Sequence, residues 1–532
     1  PRATPSNSSA ASDVYKRQAR KIERYLDTGR LPYYEELKRE IPEGLLAMVE
    51  IPGLGPKKAK LIYEKLGIKS VHELREACQK HKLAGIPTLG TKTEENILRG
   101  ISLRASSSGR MLLSTALLLS SSVIQGLKGR GNKIKKMDTA GSLRRGKETI
   151  GDIDILCISS DSSKVMDLFI RLPQVKTVLA SGRTRASVIL EQGIQADLRI
   201  LSPESYGAAL MYFTGSKEHN IALRELAIRR GLKINEYGLF KGSRRIAGKS
   251  EEEVFKKLGL QYIPPELREH RGEIEQAIKG KLPALVEEKD LKGDLHIHSS
   301  YSDGSAGIEK IVQRAKEKGW EWVAVCDHSQ RLKIARGLNE RELKKKLEEI
   351  KRINRREKRF RVFCGTEVDI LDDGTLDYPD KLLRELDFVI AAIHSGFRQS
   401  QERLTTRILR AMENPYVDMI AHPSGRLLGK REPYPLDMDE IFKQAHKTNT
   451  ALEINAYPER LDLTDHLCYE AKKRGVMLGI GTDAHHLEQL DYLALGTLVA
   501  RRGWLERGNL LNTLSQDKLI ERIRKSRKGE RR

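Results

Sequence analysis

The sequence predicts a multidomain α/β protein made of an all-helical region, a mixed α+β region and a C-terminal barrel with parallel strands. Three observations carry that prediction. Over residues 19–105 apolar side chains recur at three- and four-residue spacing between glycines. Over 106–265 strand-like runs are mixed with helical ones. From 291 to 505 apolar runs alternate with charged helical segments: GDLHIH, WVAVCDH, RVFCGTEVDI, DFVIAAIHS, VDMIAHPS, ALEINAYP and VMLGIGTDAH. Such regular alternation is the signature of a barrel-like α/β domain.

Bulk properties set limits on function. In 532 residues, 96 Lys and Arg against 73 Asp and Glu leave a formal charge of +23. That balance favours a polyanionic partner, either nucleic acid or an anionic membrane surface. The longest apolar run, MLLSTALLLSSSV at 111–123, is too short for a spanning helix and is broken by serines. Five scattered cysteines without a C-x-x-C read as reduced core thiols of a cytoplasmic protein, with no disulfide. Residues 1–18, PRATPSNSSAASDVYKRQ, read as a foreign or disordered leader outside the fold.

In chain order, YYEELKREI, GLLAMVEI, PKKAKLIYEKL, VHELREAC and KTEENILRGI are expected as short amphipathic helices. VEIPGLGPKKAKLIYEKLG at 49–67 places Gly53 and Gly55 at a helix start, followed by Lys57, Lys58 and Lys60. Unpaired N–H groups and the helix dipole make such an end a seat for a phosphate, whatever the base sequence. An ordinary helix cap would account for one G-x-G. The related copy GIPTLGTKTEENILRGI at 85–101 and the lysines favour binding to the DNA backbone, and the segment resembles a helix-hairpin-helix motif. RASSSGR at 104–110 is expected as a linker.

IKKMDTAGS, DIDILCI, KTVLAS, RASVILE and QADLRI are expected as strands. Alternation puts Asp152 and Asp154 on one strand face, where two carboxylates repel unless a cation sits between them. With Asp197 on a neighbouring strand they would form a cage for two Mg²⁺ or Mn²⁺ ions about 3.5–4 Å apart, as in phosphoryl transfer. Upstream, the Gly141-Ser142 turn and Arg145 offer backbone, hydroxyl and guanidinium groups to a triphosphate. A surface strand with exposed acids would explain D-I-D alone, but not the turn, the arginines and the later D-L-R.

GSLRRGKETIGDIDIL, ADLRI and YFTGSKEHNIALRELAIRRGLKINEYG together resemble the nucleotidyltransferase palm of X-family DNA polymerases, the group of polymerase beta. The resemblance implies that Asp152, Asp154 and Asp197 hold the catalytic metals, with Asp197 nearest the primer 3′-hydroxyl. It implies that Gly141, Ser142, Arg145 and Gly151 meet the nucleotide's phosphates, and that Tyr212, Phe213 and Gly215 select a deoxyribose. Asn220 would meet the incoming base and Arg224 the template. From the residues alone, Tyr212 and Phe213 read equally well as core aromatics. Members of that family carry another helical hairpin ahead of ARKIERYLD, most of which is missing here, so lyase activity is not implied.

IPPELREHRGEIEQAIKGKLPALVEEKDLKG is charged and proline-punctuated, and 266–290 is expected as a linker between the halves. In the barrel region, His296 and His298 share a strand face and Asp303 follows in the loop. His328, Glu367, His394, His422, Asp483 and His485 fall at the ends of separate apolar runs. The carboxyl ends of parallel barrel strands converge, so nine imidazole and carboxylate donors would gather in one cleft. That donor set suits two or three ions of Mn²⁺, Zn²⁺ or Fe²⁺. A lone histidine after a strand is usually structural; six at matching strand ends are not explained by packing. Arg426 is a candidate for a phosphate oxygen, and His486 is expected outside the ligand set. The charged helix RELKKKLEEIKRINRREKR is expected as a solvated face, and 506–532 as a basic tail.

Residues 291–505 resemble the PHP domain, a distorted parallel (β/α)7 barrel, which implies metal-dependent phosphoesterase chemistry. The order helical hairpin region, palm and PHP domain resembles bacterial and archaeal family X polymerases. Its implications are a monomer that takes gapped or primed DNA and deoxynucleoside triphosphates, with no membrane. Competing readings are a hydrolase whose polymerase half is disabled, and a non-catalytic DNA-binding scaffold.

Overall fold

The computed structural model describes residues 43–49, 51, 54–86, 89–107, 110–128 and 133–527, in two compact units, Pro1–Ser108 and Gly109–Arg532. YYEELKREI and Gly53 lie outside the described residues.

In the first unit, helices Glu43–Val49, Pro56–Leu66, Val71–Gln79 and Thr91–Ser107 surround a core of Met48, Ile62, Leu74, Leu89 and Ile97. Pro56 opens its helix at a position whose N–H would be unpaired anyway. Glu94, 1 % exposed, accepts from the Leu83 and Ala84 amides and ties the last helix to the turn before it. The expected linker RASSSGR is helical as far as Ser107, continuing the turn pattern of KTEENILRGI.

The second unit begins with β1 (Met111–Leu112) and the helix Leu113–Lys128, whose apolar face is buried at Leu113, Ala116, Val123 and Leu127. Among the described residues no helix is long and apolar enough to cross a membrane. The strands β2 (Ile134–Thr139), β3 (Thr149–Ile150), β4 (Asp152–Ser159), β5 (Val175–Ser181), β6 (Arg185–Leu190) and β7 (Gln195–Ile200) follow. Five of them form a sheet in the order β2-β4-β7-β6-β5, with β3 paired instead to β1. β4 and β7 are parallel neighbours and the other pairs are antiparallel. Next come helices Tyr206–Thr214 and Lys217–Arg229 and a small sheet of β8 (Lys233–Asn235), β9 (Gly238–Lys241) and β10 (Arg244–Ala247).

The stretch expected as a linker at 266–290 is folded. It carries the helix Glu273–Ile278, and Leu267, Ile274 and Ala277 join the core of Leu226, Leu239 and Phe255. Its prolines punctuate turns between packed pieces, a pattern that also occurs in connectors.

The barrel comprises β11 (Gly293–Ile297), β12 (Trp322–Val325), β13 (Arg361–Asp369), β14 (Phe388–Ala392), β15 (Met419–Ile420), β16 (Ala451–Asn455) and β17 (Leu478–Gly481). All seven are parallel and adjacent in chain order. Closure comes from a parallel bridge between Ile297 and Ala484 and from Asp483 N–H donating to the His296 carbonyl. The fully buried strand FVIAA is apolar on both faces because helices cover the outside, whereas ALEIN keeps Leu452 and Ile454 on one face and turns Glu453 and Asn455 to the other. The basic C-terminal segment packs rather than trailing away: Gln516–Arg527 is helical, and its Leu519 and Ile523 reach the core of Trp322 and Phe363. The five cysteines are buried and unpaired.

Candidate active sites

Parallel pairing of β4 with β7 sets Asp154 directly beside Asp197, and Asp152 beside Gln195. Asp152 is exposed, Asp154 half-buried and Asp197 buried. Burial, then the Asp152 and Asp197 charges, push the Asp154 carboxyl up to about 7. Gln195 Nε2 donates to both oxygens of Asp197 at 3.3 Å. Gly141 opens the short helical turn Gly141–Arg144 with a φ of 62°. A Cβ on it would lie 2.6 Å from Asp154 Oδ2, so the turn can lie against the carboxylate only as glycine.

The two adjacent arginines are spoken for by the following subdomain. Arg144 forks onto Glu251 at 2.8 and 2.6 Å, and the buried Arg268 donates to the same carboxylate at 2.6 Å. Arg145 donates to Glu269 at 2.9 Å and to the Thr214 carbonyl at 2.5 Å. Gly215 lies beside Arg145 Nη1, and Gly151 beside Arg110. Tyr212 and Phe213 pack edge to face at 5.2 Å, with Arg199 4.4 Å over Phe213. Asn220 Nδ2 donates to the Tyr212 carbonyl at 2.7 Å, while Arg224 is exposed on its helix. In the first unit, Gly55, Lys57 and Lys60 are exposed and Lys58 half-buried at the start of Pro56–Leu66, where no side chain caps the helix.

The barrel brings all nine predicted donors together at the carboxyl ends of its strands. His298 lies one residue past β11, His394 and His422 two past β14 and β15, and Asp483 two past β17. His296 and His298 approach to 3.1 Å through their Nε2 atoms. Asp483 Oδ1 lies 3.1 Å from His298 Nε2, and Glu367 Oε1 lies 2.8 Å from His422 and 3.2 Å from His394. Asp303 Oδ2 lies 3.3 Å from His485 and 3.7 Å from His328. Among the described residues, three groups have donor atoms close enough for one ion: His298, Asp303, His328 and His485; His296, His298 and Glu367; and His328, Glu367 and His394. The acids of β4 and β7, expected as a cage, do not appear among these groups: Asp154 and Asp197 are neighbours in register, while Asp152 stands exposed beside Gln195.

These donors fit divalent metal. Glu367 Oε2 and the Nδ1 atoms of His298, His328 and His422 are buried without a hydrogen-bond partner. Carboxylates hold His394 at about 10 against the effect of burial, with Glu367 the leading cause, and hold His485 at about 9, led by Asp303. Burial drives His298 down to about 4 and His422 to about 3, aided by His328 and Arg460 respectively. The carboxylates thus draw positive charge onto some imidazoles and leave others neutral, and a cation serves both. His422 and Asp483 have φ values of 27° and 55°, so two of the donors sit on strained backbone.

A supporting layer escaped the sequence reading. Glu453, fully buried, accepts from His296 Nδ1 at 2.7 Å and from the His422 amide at 2.5 Å. Asp369 accepts from His394 Nδ1. Asp327 accepts from Ser299 and Ser302, which fixes the loop that carries Asp303, and is paired at 2.8 Å with the fully buried Lys346. Arg460 lies 3.4 Å from Asp483, with its Nη1 buried and unpartnered. Same-face alternation would have found Asp369 from Glu367, and from His296 the buried Asp294, which accepts from the His296 amide and the Thr482 hydroxyl; nothing in the sequence points to Lys346. Arg426 is committed elsewhere: it donates to Glu148 at 2.7 Å and to the Arg460 and Leu461 carbonyls. His486 is exposed and outside the cluster.

Comparisons with known proteins agree with this layout. Residues 45–102 match the SAM-like helix-hairpin-helix tandem, 209–269 the DNA polymerase beta thumb and 294–457 the PHP domain. The chain is 42% identical to the DNA polymerase/3′-5′ exonuclease PolX of Bacillus subtilis (strain 168), over 93% of this chain and 87% of the relative. It is also 30% identical to a probable phosphatase of Thermoanaerobacter sp. (strain X514), over 36% of this chain and 78% of that protein. A probable phosphatase of Caldanaerobacter subterraneus is 29% identical over 36% of this chain and 75% of its own length. A helix-hairpin-helix unit, a polymerase-beta-type thumb and a seven-stranded PHP barrel, in the order of a relative matched almost end to end, place this chain in the PolX family, the family X DNA polymerases that carry a PHP domain.

Proposed function

We propose that this chain is a template-directed DNA polymerase that fills short gaps during repair, and that its barrel is a second, metal-dependent site acting on DNA 3′ ends. The observation that supports both parts is the presence of two chemically different donor sets in one unit: carboxylates alone on β4 and β7, and imidazoles with carboxylates in the barrel.

In the polymerase site, Asp152, Asp154 and Asp197 are an all-oxygen set suited to Mg²⁺ or Mn²⁺. Divalent ions bound there supply positive charge opposite the transferring phosphoryl group and its leaving oxygens. Asp197, beside Asp154 in register, faces the primer 3′-hydroxyl as it attacks the α-phosphorus and pyrophosphate departs. The Gly141-Ser142 turn and Gly151 present backbone and hydroxyl groups to the terminal phosphates, and Arg145 a planar fork. Tyr212, Phe213 and Gly215 bound the sugar, which favours deoxynucleotides. Asn220 meets the base and Arg224 the template strand. Gly53, Gly55, Lys57, Lys58 and Lys60 hold the DNA backbone without regard to sequence.

In the barrel, the nine donors hold two or three ions of Mn²⁺, Zn²⁺ or Fe²⁺, which activate water and neutralise phosphate charge when bound. Glu453 and Asp369 fix the imidazoles' orientation, and the free Nη1 of Arg460 is available to a phosphate oxygen. Its reaction is 3′-5′ exonucleolytic cleavage, or hydrolysis at an abasic site or a 3′-phosphate. We place the protein in the cytoplasm as a monomer.

The deciding assay follows extension and degradation of gapped DNA with Mn²⁺, with and without deoxynucleotides. Asp152→Ala should lose extension and keep degradation, and Asp483→Ala the reverse. Normal extension by Asp152→Ala would refute the palm assignment; normal degradation by Asp483→Ala would refute the barrel's.

A further inference from the structure

The residue expected to grip the triphosphate, Arg145, is held by a largely buried ion network that reaches into the barrel domain. Glu269, in the segment after the thumb helices, takes Arg145 Nε at 2.9 Å and Arg502 Nη1 at 3.0 Å on the same oxygen, with Lys147 at 3.7 Å on the other. Arg502, at the end of the helix Leu493–Arg502 that packs on the barrel, is 3 % exposed. It also donates to the Arg145 carbonyl at 2.8 Å and to Asp465 at 2.6 Å. Burial raises the Glu269 carboxyl, but Arg502 first, then Arg145 and Lys147, hold it below the usual range.

For Arg145 to turn its whole planar fork onto a triphosphate it must give up both Glu269 and the Thr214 carbonyl. A carboxylate this buried resists losing its partner, because the unpaired charge is poorly solvated. Arg502 changes that balance, since it keeps Glu269 paired whether Arg145 is present or gone. We propose that Arg502 is a positioning residue for nucleotide binding: the barrel domain supplies the counter-charge that lets Glu269 release Arg145 to the incoming deoxynucleotide. The inference rests on the reading of Arg145 as a triphosphate contact. It gives the C-terminal domain a part in polymerisation that is independent of the histidine cluster.

The test is single-nucleotide gap filling with Mg²⁺, with KM for the deoxynucleotide and kcat measured separately. In Arg502→Met, Glu269 should grip Arg145 harder and KM should rise about tenfold with kcat within about twofold, the pattern of lost ground-state binding. In Glu269→Gln the grip is relaxed and KM should fall below that of the unmodified protein. The double variant should return to the Glu269→Gln value, a rescue that a mere docking role for Arg502 does not produce. Phosphoesterase turnover in each variant reports on the folding of the barrel. If Arg502→Met does not fold, Glu269→Gln alone decides, and an unchanged or higher KM overturns the proposal. An unchanged KM in Arg502→Met, or a raised KM without rescue, also overturns it. Arg145→Met separates the two layers: an unchanged KM there refutes the palm reading itself, whereas a raised KM beside inert Arg502 and Glu269 variants refutes only the coupling.

Discussion

At Gly141 a hydrogen in place of a methyl decides how closely the Gly141-Ser142 turn can approach the strand that carries Asp152 and Asp154. The left-handed φ of 62° disfavours a side chain, and a Cβ there would come within 2.6 Å of Asp154 Oδ2, so the atom in the way is the carboxylate itself. Gly141→Ala should therefore displace Asp154 rather than unfold the sheet. Misplacement of a reacting group by about 1 Å costs on the order of 100-fold in rate. Primer extension should fall by that factor while phosphoesterase turnover stays at the unmodified level; full extension would show that Asp154 tolerates the shift. The motif itself was legible, because spacing alone puts Asp152 and Asp154 on one face. What the sequence could not show is how the two arginines of GSLRRG are divided, Arg144 to Glu251 and Arg145 to Glu269, since both partners lie more than a hundred residues away.

Among the elements, periodicity was informative wherever one face meets solvent or helices cover both. The palm strands and the seven barrel strands fall where the apolar runs predicted them, and strand-end histidines follow from parallel closure. Periodicity failed where a polar residue is buried for a partner outside its own segment. The charged helix Glu340–Arg356 carries Lys346 on its inner face, where it bonds the Val325 and Gly365 carbonyls as well as Asp327. Likewise, prolines and charges disguised 266–290 as a connector, although Arg268 is wholly buried between Glu251 and the Phe255 ring. That clamp joins the palm turn to the thumb and makes a pH prediction. Although burial opposes ionisation, Arg144 and Arg268 bring the Glu251 carboxyl down to about 2. An unfolded glutamate titrates near about 4.3. Its folded pKa is depressed, so the clamp's stabilisation is complete above the unfolded value and is lost as pH falls towards the folded one. Glu251→Gln should lower stability by roughly 3–5 kcal/mol at pH 7, because Arg268 is left buried without its counter-charge. Urea unfolding should show that difference narrowing from about pH 4.5 downward; a constant difference would place the stabilisation elsewhere.

For the whole second unit, the decisive feature is that palm and barrel share one apolar core. Buried side chains run without interruption from Leu113 and Ile153 through Val286 and Leu291 to Val323 and Leu510. Across the same seam Arg426 pairs with Glu148, and Arg501 with Glu266. Two catalytic domains joined by a linker would unfold separately; two that share a core should unfold together. The histidine cluster provides a handle on this, because an ion that binds only the folded state stabilises it by mass action, about 2.7 kcal/mol at a hundredfold excess over Kd. Given the entropy of unfolding per residue, that is roughly 3 °C per ion for a unit of this size. Scanning calorimetry should therefore show palm and barrel melting in one transition that shifts down on chelation. Asp483→Ala should reduce the shift, and Asp152→Ala should leave the barrel's share of it in place. Separate transitions, with only one responding to chelator, would mean that the shared core does not couple the domains. In that case a perturbation at the barrel could reach Arg145 only through the ion network at Arg502, which the nucleotide KM measures independently.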